Sequence, residues 1–75
     1  MSAQDLINAK ALLAGASQRQ PHEIPDDASV TNFDGWDSLS HMRLIMAMEE
    51  KIGRELTPEA VVDIACLSDV AKYLT

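Results

Sequence analysis

The sequence predicts an all-α protein, a small four-helix bundle with a long loop between helices one and two, formed by residues 1–75 as a single domain. Four segments carry apolar residues at helical spacing, and no segment alternates apolar and polar residues as a strand would. Aromatic residues make up only 4% of a chain that is 47% hydrophobic, so aliphatic side chains and methionine must build the core. A chain of 75 residues is too short to form two such cores.

The first helix is predicted over residues 3–14. Ser2 is a suitable N-cap, and Asp5 follows it at the spacing of a capping box. Gly15 is expected to close the helix, because glycine readily adopts the left-handed backbone that ends many helices.

A connection over residues 16–37 follows. It is much longer than the usual connection between helices of a bundle, which has roughly two to eight residues. Four apolar residues recur along it at spacings unlike those of a solvated linker. We expect these side chains to hold an ordered loop across the bundle: Ile24, Val30, Phe33 and Trp36.

The second helix is predicted to begin after Asp37-Ser38, since either residue can cap it, and to end near Gly53. Leu39 and Met46 are expected to be partly exposed. The other apolar residues of this helix are expected mainly in the core, namely Met42, Leu44, Ile45, Met48 and Ile52.

Two short helices complete the predicted bundle. Thr57-Pro58-Glu59 supplies a capping hydroxyl, a proline at the first helical position and an acid in the first turn of a helix that runs to about Ile64. The last helix is predicted after Ser68, and Cys66 is expected to pack as a small apolar side chain between the two. The inward-facing residues of the last helix are expected to be Val70, Ala71 and Leu74.

The charge balance restricts the partners of the protein. The chain has 12 acidic and 6 basic residues, which argues against nucleic acid or an anionic lipid surface as a ligand. Residues 21–37 contain five acidic and no basic side chains, a distribution that suits docking onto basic patches of other proteins.

Cysteine usage and hydropathy indicate the compartment. The chain has one cysteine, Cys66, and therefore no internal disulfide, which suits the reducing cytoplasm. No apolar run approaches the ~20 residues of a membrane span, so membrane insertion is not expected.

His22 and His41 lack the close spacing of metal ligands, and no metal site is predicted. We expect a monomer.

The junction Asp34-Gly35-Trp36-Asp37-Ser38-Leu39 is the most informative stretch for function. A helix start favours an anion, because its first backbone N–H groups lack helical partners and the macrodipole is positive there. A phosphate on Ser38 would be well placed, while helix capping alone would also explain this serine. Three further features accompany this junction: the acidic four-helix pattern, the long loop and Glu49-Glu50-Lys51-Ile52. Together they make the chain resemble the acyl carrier protein family over nearly its whole length.

The resemblance implies that Ser38 carries 4′-phosphopantetheine, transferred from coenzyme A by a phosphopantetheinyl transferase with Mg²⁺. The thiol of the arm would hold an acyl group as a thioester for partner enzymes of lipid, polyketide or related biosynthesis. These partners would include an acyl or aminoacyl ligase or transferase. The resemblance implies a non-catalytic carrier, and Ser38 has no apparent catalytic triad, since His41 lacks an orienting acid.

The resemblance also implies which residues meet partner enzymes. Asp37 would combine capping with transferase docking, and Leu39 and Met46 match hydrophobic contact positions of the family. Glu50 matches an acidic recognition position. Arg43 stands where acids are common in carriers of fatty-acid synthesis, so a dedicated pathway with its own loading enzyme is as well supported as lipid synthesis.

Two other functions fit the same sequence. An aminoacyl or peptidyl carrier protein shares the fold and the attachment motif. An unmodified helical interaction module would use the face of Leu39 and Met46 to bind a partner helix. The small alanines of the predicted bundle would either leave room for an acyl chain between the helices or simply allow close packing, which we favour.

Overall fold

The computed structural model describes residues 2–74 and confirms the predicted all-helical fold. A 3₁₀ turn at Pro21–Glu23 lies in the long loop between the first two helices, and α1 packs against both α2 and α4. Within the described residues, no helix is long and apolar enough to cross a membrane. The four α-helices of the described residues are α1 (Ala3–Ser17), α2 (Ser38–Ile52), α3 (Pro58–Asp63) and α4 (Leu67–Leu74).

Helix α1 begins as predicted. The backbone N–H of Asp5 donates to Ser2 Oγ at 3.1 Å, and the backbone N–H of Ser2 donates to Asp5 Oδ2 at 3.4 Å. These two bonds complete a capping box, which satisfies backbone donors that a helix start leaves unpaired.

The predicted end of α1 was wrong, because the helix runs through Gly15 to Ser17. A glycine inside a helix costs only about 1 kcal/mol relative to alanine, and the extension buries Ala16 in the core. The helix ends at Gln18, whose φ of 59° is left-handed. The left-handed residue that glycine was expected to supply is therefore a glutamine three positions later.

The long loop crosses the bundle in an ordered path, as predicted. Ile24, Phe33 and Trp36 are buried in the core. The expectation for Val30 was wrong: this residue is 43% exposed and is not part of the core, although its backbone is fixed. Three of the four apolar residues therefore hold the loop.

A short antiparallel bridge between Ser29 and Cys66 fixes this part of the loop. The backbone N–H of Val30 donates to the carbonyl of Ala65 at 2.9 Å, and that of Leu67 donates to the carbonyl of Ala28 at 3.2 Å. The bridge ties the loop to the connection between α3 and α4.

Helix α2 ends at Gly53 as predicted, where the φ of 77° is left-handed, and it begins at Ser38, one residue before the predicted start. The prediction for Met42 was wrong, because this side chain is 55% exposed, and Ile52 is only partly buried. Three apolar residues of the helix do lie in the core: Leu44, Ile45 and Met48. The buried face of α2 is therefore narrower than the apolar residues of this helix suggested.

Helices α3 and α4 close the bundle. Thr57 Oγ1 accepts from the backbone N–H of Ala60 at 3.1 Å, and Pro58 is the first residue of α3, as predicted. Helix α4 begins at Leu67, two residues before its predicted start after Ser68. Val70 and Ala71 are buried, Leu74 packs against the core while partly exposed, and Cys66 is partly exposed between the two helices.

Candidate functional site

The start of α2 is built around Asp37. Its Oδ1 accepts from the backbone N–H of Ser40 at 2.8 Å, which decides between the two predicted caps in favour of Asp37. The backbone hydrogen bond from Ser40 holds the pKa of Asp37 below its ordinary value, with a smaller contribution from the charge of Arg43. Asp37 is therefore ionised at neutral pH and holds the first turn in a fixed geometry.

Because Asp37 is the cap, Ser38 is the first residue of α2, and it is exposed. The first backbone N–H groups of a helix have no carbonyl partner within it, and the positive end of the macrodipole lies at the same place. A phosphoryl group on the Ser38 hydroxyl would sit beside these donors. The position therefore combines an accessible hydroxyl with a surrounding that favours a negative phosphodiester.

A cleft of about 520 Å³ opens beside Ser38, between the long loop and the first turn of α2. Most of its surface is apolar, because Val30 and Trp36 of the loop and Met42 of α2 supply much of its wall. The cleft is lined by Val30, Trp36, Asp37, Ser38, His41 and Met42. A flexible arm on Ser38 thus has an apolar surface next to its point of attachment, and these residues fit a phosphopantetheine group.

The cleft contains a hydrogen-bonded pair of rings that the sequence did not predict. The indole N–H of Trp36 donates to Nδ1 of His41 at 3.0 Å. On the other side of the imidazole, Nε2 lies 2.8 Å from the carbonyl oxygen of Val61 in α3. His41 therefore joins the long loop, α2 and α3 at one point.

An exposed apolar ridge runs from the cleft along α2. Leu39, Met42 and Met46 are 59%, 55% and 65% exposed, and their spacing of three and four residues places them on one face of the helix. Arg43 and Glu50 are exposed on the same stretch of α2. On α3, Val62 is 80% exposed. The expected exposure of Leu39 and Met46 is confirmed, and Met42 joins them.

Comparisons with known proteins show the family of the chain. The model of a family described as the phosphopantetheine attachment site matches residues 9–74. The chain is similar to the acyl carrier protein of Bradyrhizobium sp. (strain ORS 278), with 36% identity over 55 residues, 73% of this chain and 70% of that protein. It is also similar to the acyl carrier protein of Wolinella succinogenes, with 35% identity over 54 residues, 72% of this chain and 71% of that protein.

Proposed function

Because this chain belongs to the acyl carrier protein family, whose prosthetic group is covalent phosphopantetheine, we propose that Ser38 is the residue that carries this group. The observation that carries the proposal is the position of Ser38 as the exposed first residue of α2, directly after the Asp37 cap. A transferase can reach a hydroxyl at this position without unfolding the helix.

The prosthetic group supplies a thiol, which holds an acyl group as a thioester. The residues of the chain position the group. Asp37 fixes the first turn through its bond to the N–H of Ser40, and the helix start favours the negative charge of a phosphodiester. Val30 and Met42 offer an apolar surface beside the attachment point. The family is a non-catalytic carrier, and we assign this chain no catalytic residue.

We propose that the exposed face of α2 is the surface that partner enzymes recognise. Leu39 and Met46 present apolar side chains, and methionine adapts to partners of different shape. Arg43 and Glu50 flank Met46 at three and four residues and place opposite charges beside it. Asp37 lies at the end of this face, next to the site of modification, where it would meet the phosphopantetheinyl transferase.

The pathway is part of the proposal. We propose that a dedicated acyl or aminoacyl ligase or transferase loads the arm, and that downstream enzymes of lipid, polyketide or related biosynthesis accept the group. Arg43 places a positive charge on a face where an acid is expected. This charge is the feature by which the loading enzyme recognises this carrier. The carrier acts as a monomer in the cytoplasm.

Modification of the protein in vitro tests the attachment site. The protein is incubated with coenzyme A, Mg²⁺ and a broad-specificity phosphopantetheinyl transferase, and the intact mass is measured. We expect the mass gain of one phosphopantetheine group in the wild type, none in Ser38→Ala, and the full gain in Ser68→Ala. Ser68 is a matched control, since it is an exposed serine in the first turn of α4.

Peptide mapping of the modified protein should place the added mass on the peptide that contains Ser38. An unchanged wild-type mass, or an equal gain in Ser38→Ala, would refute the proposal. The first of these results would favour the unmodified interaction module.

A further inference from the structure

His41 connects three separate elements through two hydrogen bonds. It accepts from the indole N–H of Trp36 at 3.0 Å, so its Nδ1 carries no proton. Its Nε2 then carries the ring proton and donates to the carbonyl of Val61 at 2.8 Å. The two partners together fix one orientation and one tautomer of the imidazole.

Both partners of His41 need this bond. Trp36 is only 4% exposed, and a buried indole N–H without an acceptor is costly. Val61 lies in the last turn of α3, where backbone carbonyls have no partner within the helix. The backbone N–H of Ala65, which would bond to Val61 if the helix continued, donates instead to Asp69 Oδ2 at 3.0 Å. His41 thus completes the end of α3.

The position of His41 lies between the attachment point and the core. It is three residues after Ser38 and three before Leu44, so its side chain lies between theirs around the circumference of α2. Ser38 is at the exposed cleft, whereas Leu44 is completely buried. A chain that passed from the cleft into the core between α2 and α3 would therefore have to displace the imidazole.

We propose that the Trp36–His41–Val61 hydrogen bonds are a clasp that closes the seam between α2 and α3, so that the carried group stays in the cleft outside the core. The cargo would then be a short acyl or aminoacyl group. The methylenes of a long alkyl chain that extend beyond the cleft would remain in contact with water, which is unfavourable in proportion to the exposed area. This inference rests on the proposed attachment of the arm to Ser38.

The methionines of the protein provide reporters for both locations. Met42 lines the cleft, Met48 is completely buried in the core, and Met46 is exposed on the ridge. With ¹³C-methyl methionine, acetyl, butyryl and octanoyl arms are transferred to Ser38 from the corresponding coenzyme A thioesters, and full loading is verified by mass. We expect the Met42 methyl resonance to move with chain length, while the Met48 resonance and the Tm stay at their acetyl values.

The opposite result in the wild type would overturn the inference. In that case the Met48 resonance would shift progressively from the acetyl to the octanoyl form of the protein, and the Tm would rise in the same order. Failure of loading would instead refute the attachment at Ser38, and with it this inference, so the two failures are distinguished by mass.

Opening the clasp tests its role directly. In octanoyl His41→Ala we expect the Met48 resonance to shift relative to the acetyl form of the same variant. If His41→Ala does not fold, Trp36→Phe removes one of the two hydrogen bonds while keeping an aromatic ring, and a smaller shift is expected. A folded variant that keeps Met48 at its acetyl position would show that the hydrogen bonds do not exclude the chain.

Discussion

The two faces of α2 are both apolar, but they have different surroundings. Met48 is completely buried, whereas Met46, two residues earlier on the same helix, is 65% exposed. Leu44 and Leu39 form a second such pair, with one side chain in the core and the other 59% exposed. Residue type alone therefore does not separate the side chains that stabilise this small bundle from those that remain available to partners.

Truncating one methionine from each face should show the largest difference. We expect Met48→Ala to lower the free energy of unfolding by about 3 kcal/mol, because it removes a completely buried side chain and leaves a cavity in the core. Met46→Ala should lower it by less than about 0.5 kcal/mol, as for most exposed positions. Urea denaturation measures both values, and equal losses would contradict the division between the faces.

The clasp lies where the two faces meet, and its loss should have an intermediate effect. We expect Trp36→Phe to lower the free energy of unfolding by about 2 kcal/mol, since Nδ1 of His41 loses its donor and the smaller ring packs less fully. Tyr73→Phe, which removes a polar atom from a partly buried ring, is the control and should change stability by under about 0.5 kcal/mol.

A double-mutant cycle with His41→Ala measures the interaction between the two rings separately from what each substitution changes elsewhere. We expect a coupling energy of about 1 kcal/mol between the two positions. Strict additivity of the two substitutions would mean that the rings contribute independently, and that no clasp joins the loop to α2.

The exposed face should affect modification rather than folding. We expect Leu39→Ala to lower kcat/KM of the phosphopantetheinyl transferase about tenfold, as when an apolar anchor of a protein interface is removed. Ile7→Ala is a matched control, because Ile7 is 58% exposed but lies on α1. Both variants should keep the Tm of the wild type. A large loss of stability in Leu39→Ala with normal modification would place Leu39 in the core instead.

The helices that carry the site could be predicted because their ends depend on local chemistry. Gly53 ends α2, and Thr57-Pro58 begins α3, through contacts within a few residues of the chain. The same reasoning failed at Gly15, because the burial of Ala16 offsets the small cost of a glycine inside the helix. Tertiary packing, which no local pattern contains, decided the end of α1.

The site itself could be predicted only in part from the sequence. The motif at Ser38 is contiguous, so its position at the start of α2 could be predicted. The role of His41 could not, since its two partners come from the loop and from α3, 20 residues further along the chain. Met42 was misplaced because an apolar stripe gives the width of a helix face but does not show how much of that face the other helices cover.

The smallest expected effect concerns Asp37, which begins the helix that carries both faces. Its pKa is lowered from 3.8, chiefly by the hydrogen bond from the backbone N–H of Ser40, so the folded protein binds this proton less readily than the unfolded chain does. The resulting contribution to stability is complete above pH 3.8 and is lost as the pH falls through the lowered value.

Asp37→Asn separates this contribution from capping, because asparagine also caps helices but does not titrate. All other carboxyl groups are common to both proteins, so their titration cancels in the difference between the two unfolding free energies. We expect the wild type to lose its advantage over Asp37→Asn as the pH falls below 3.8 and through the lowered pKa of Asp37. A difference that stays constant over this range would show that the carboxylate charge does not hold the first turn of α2.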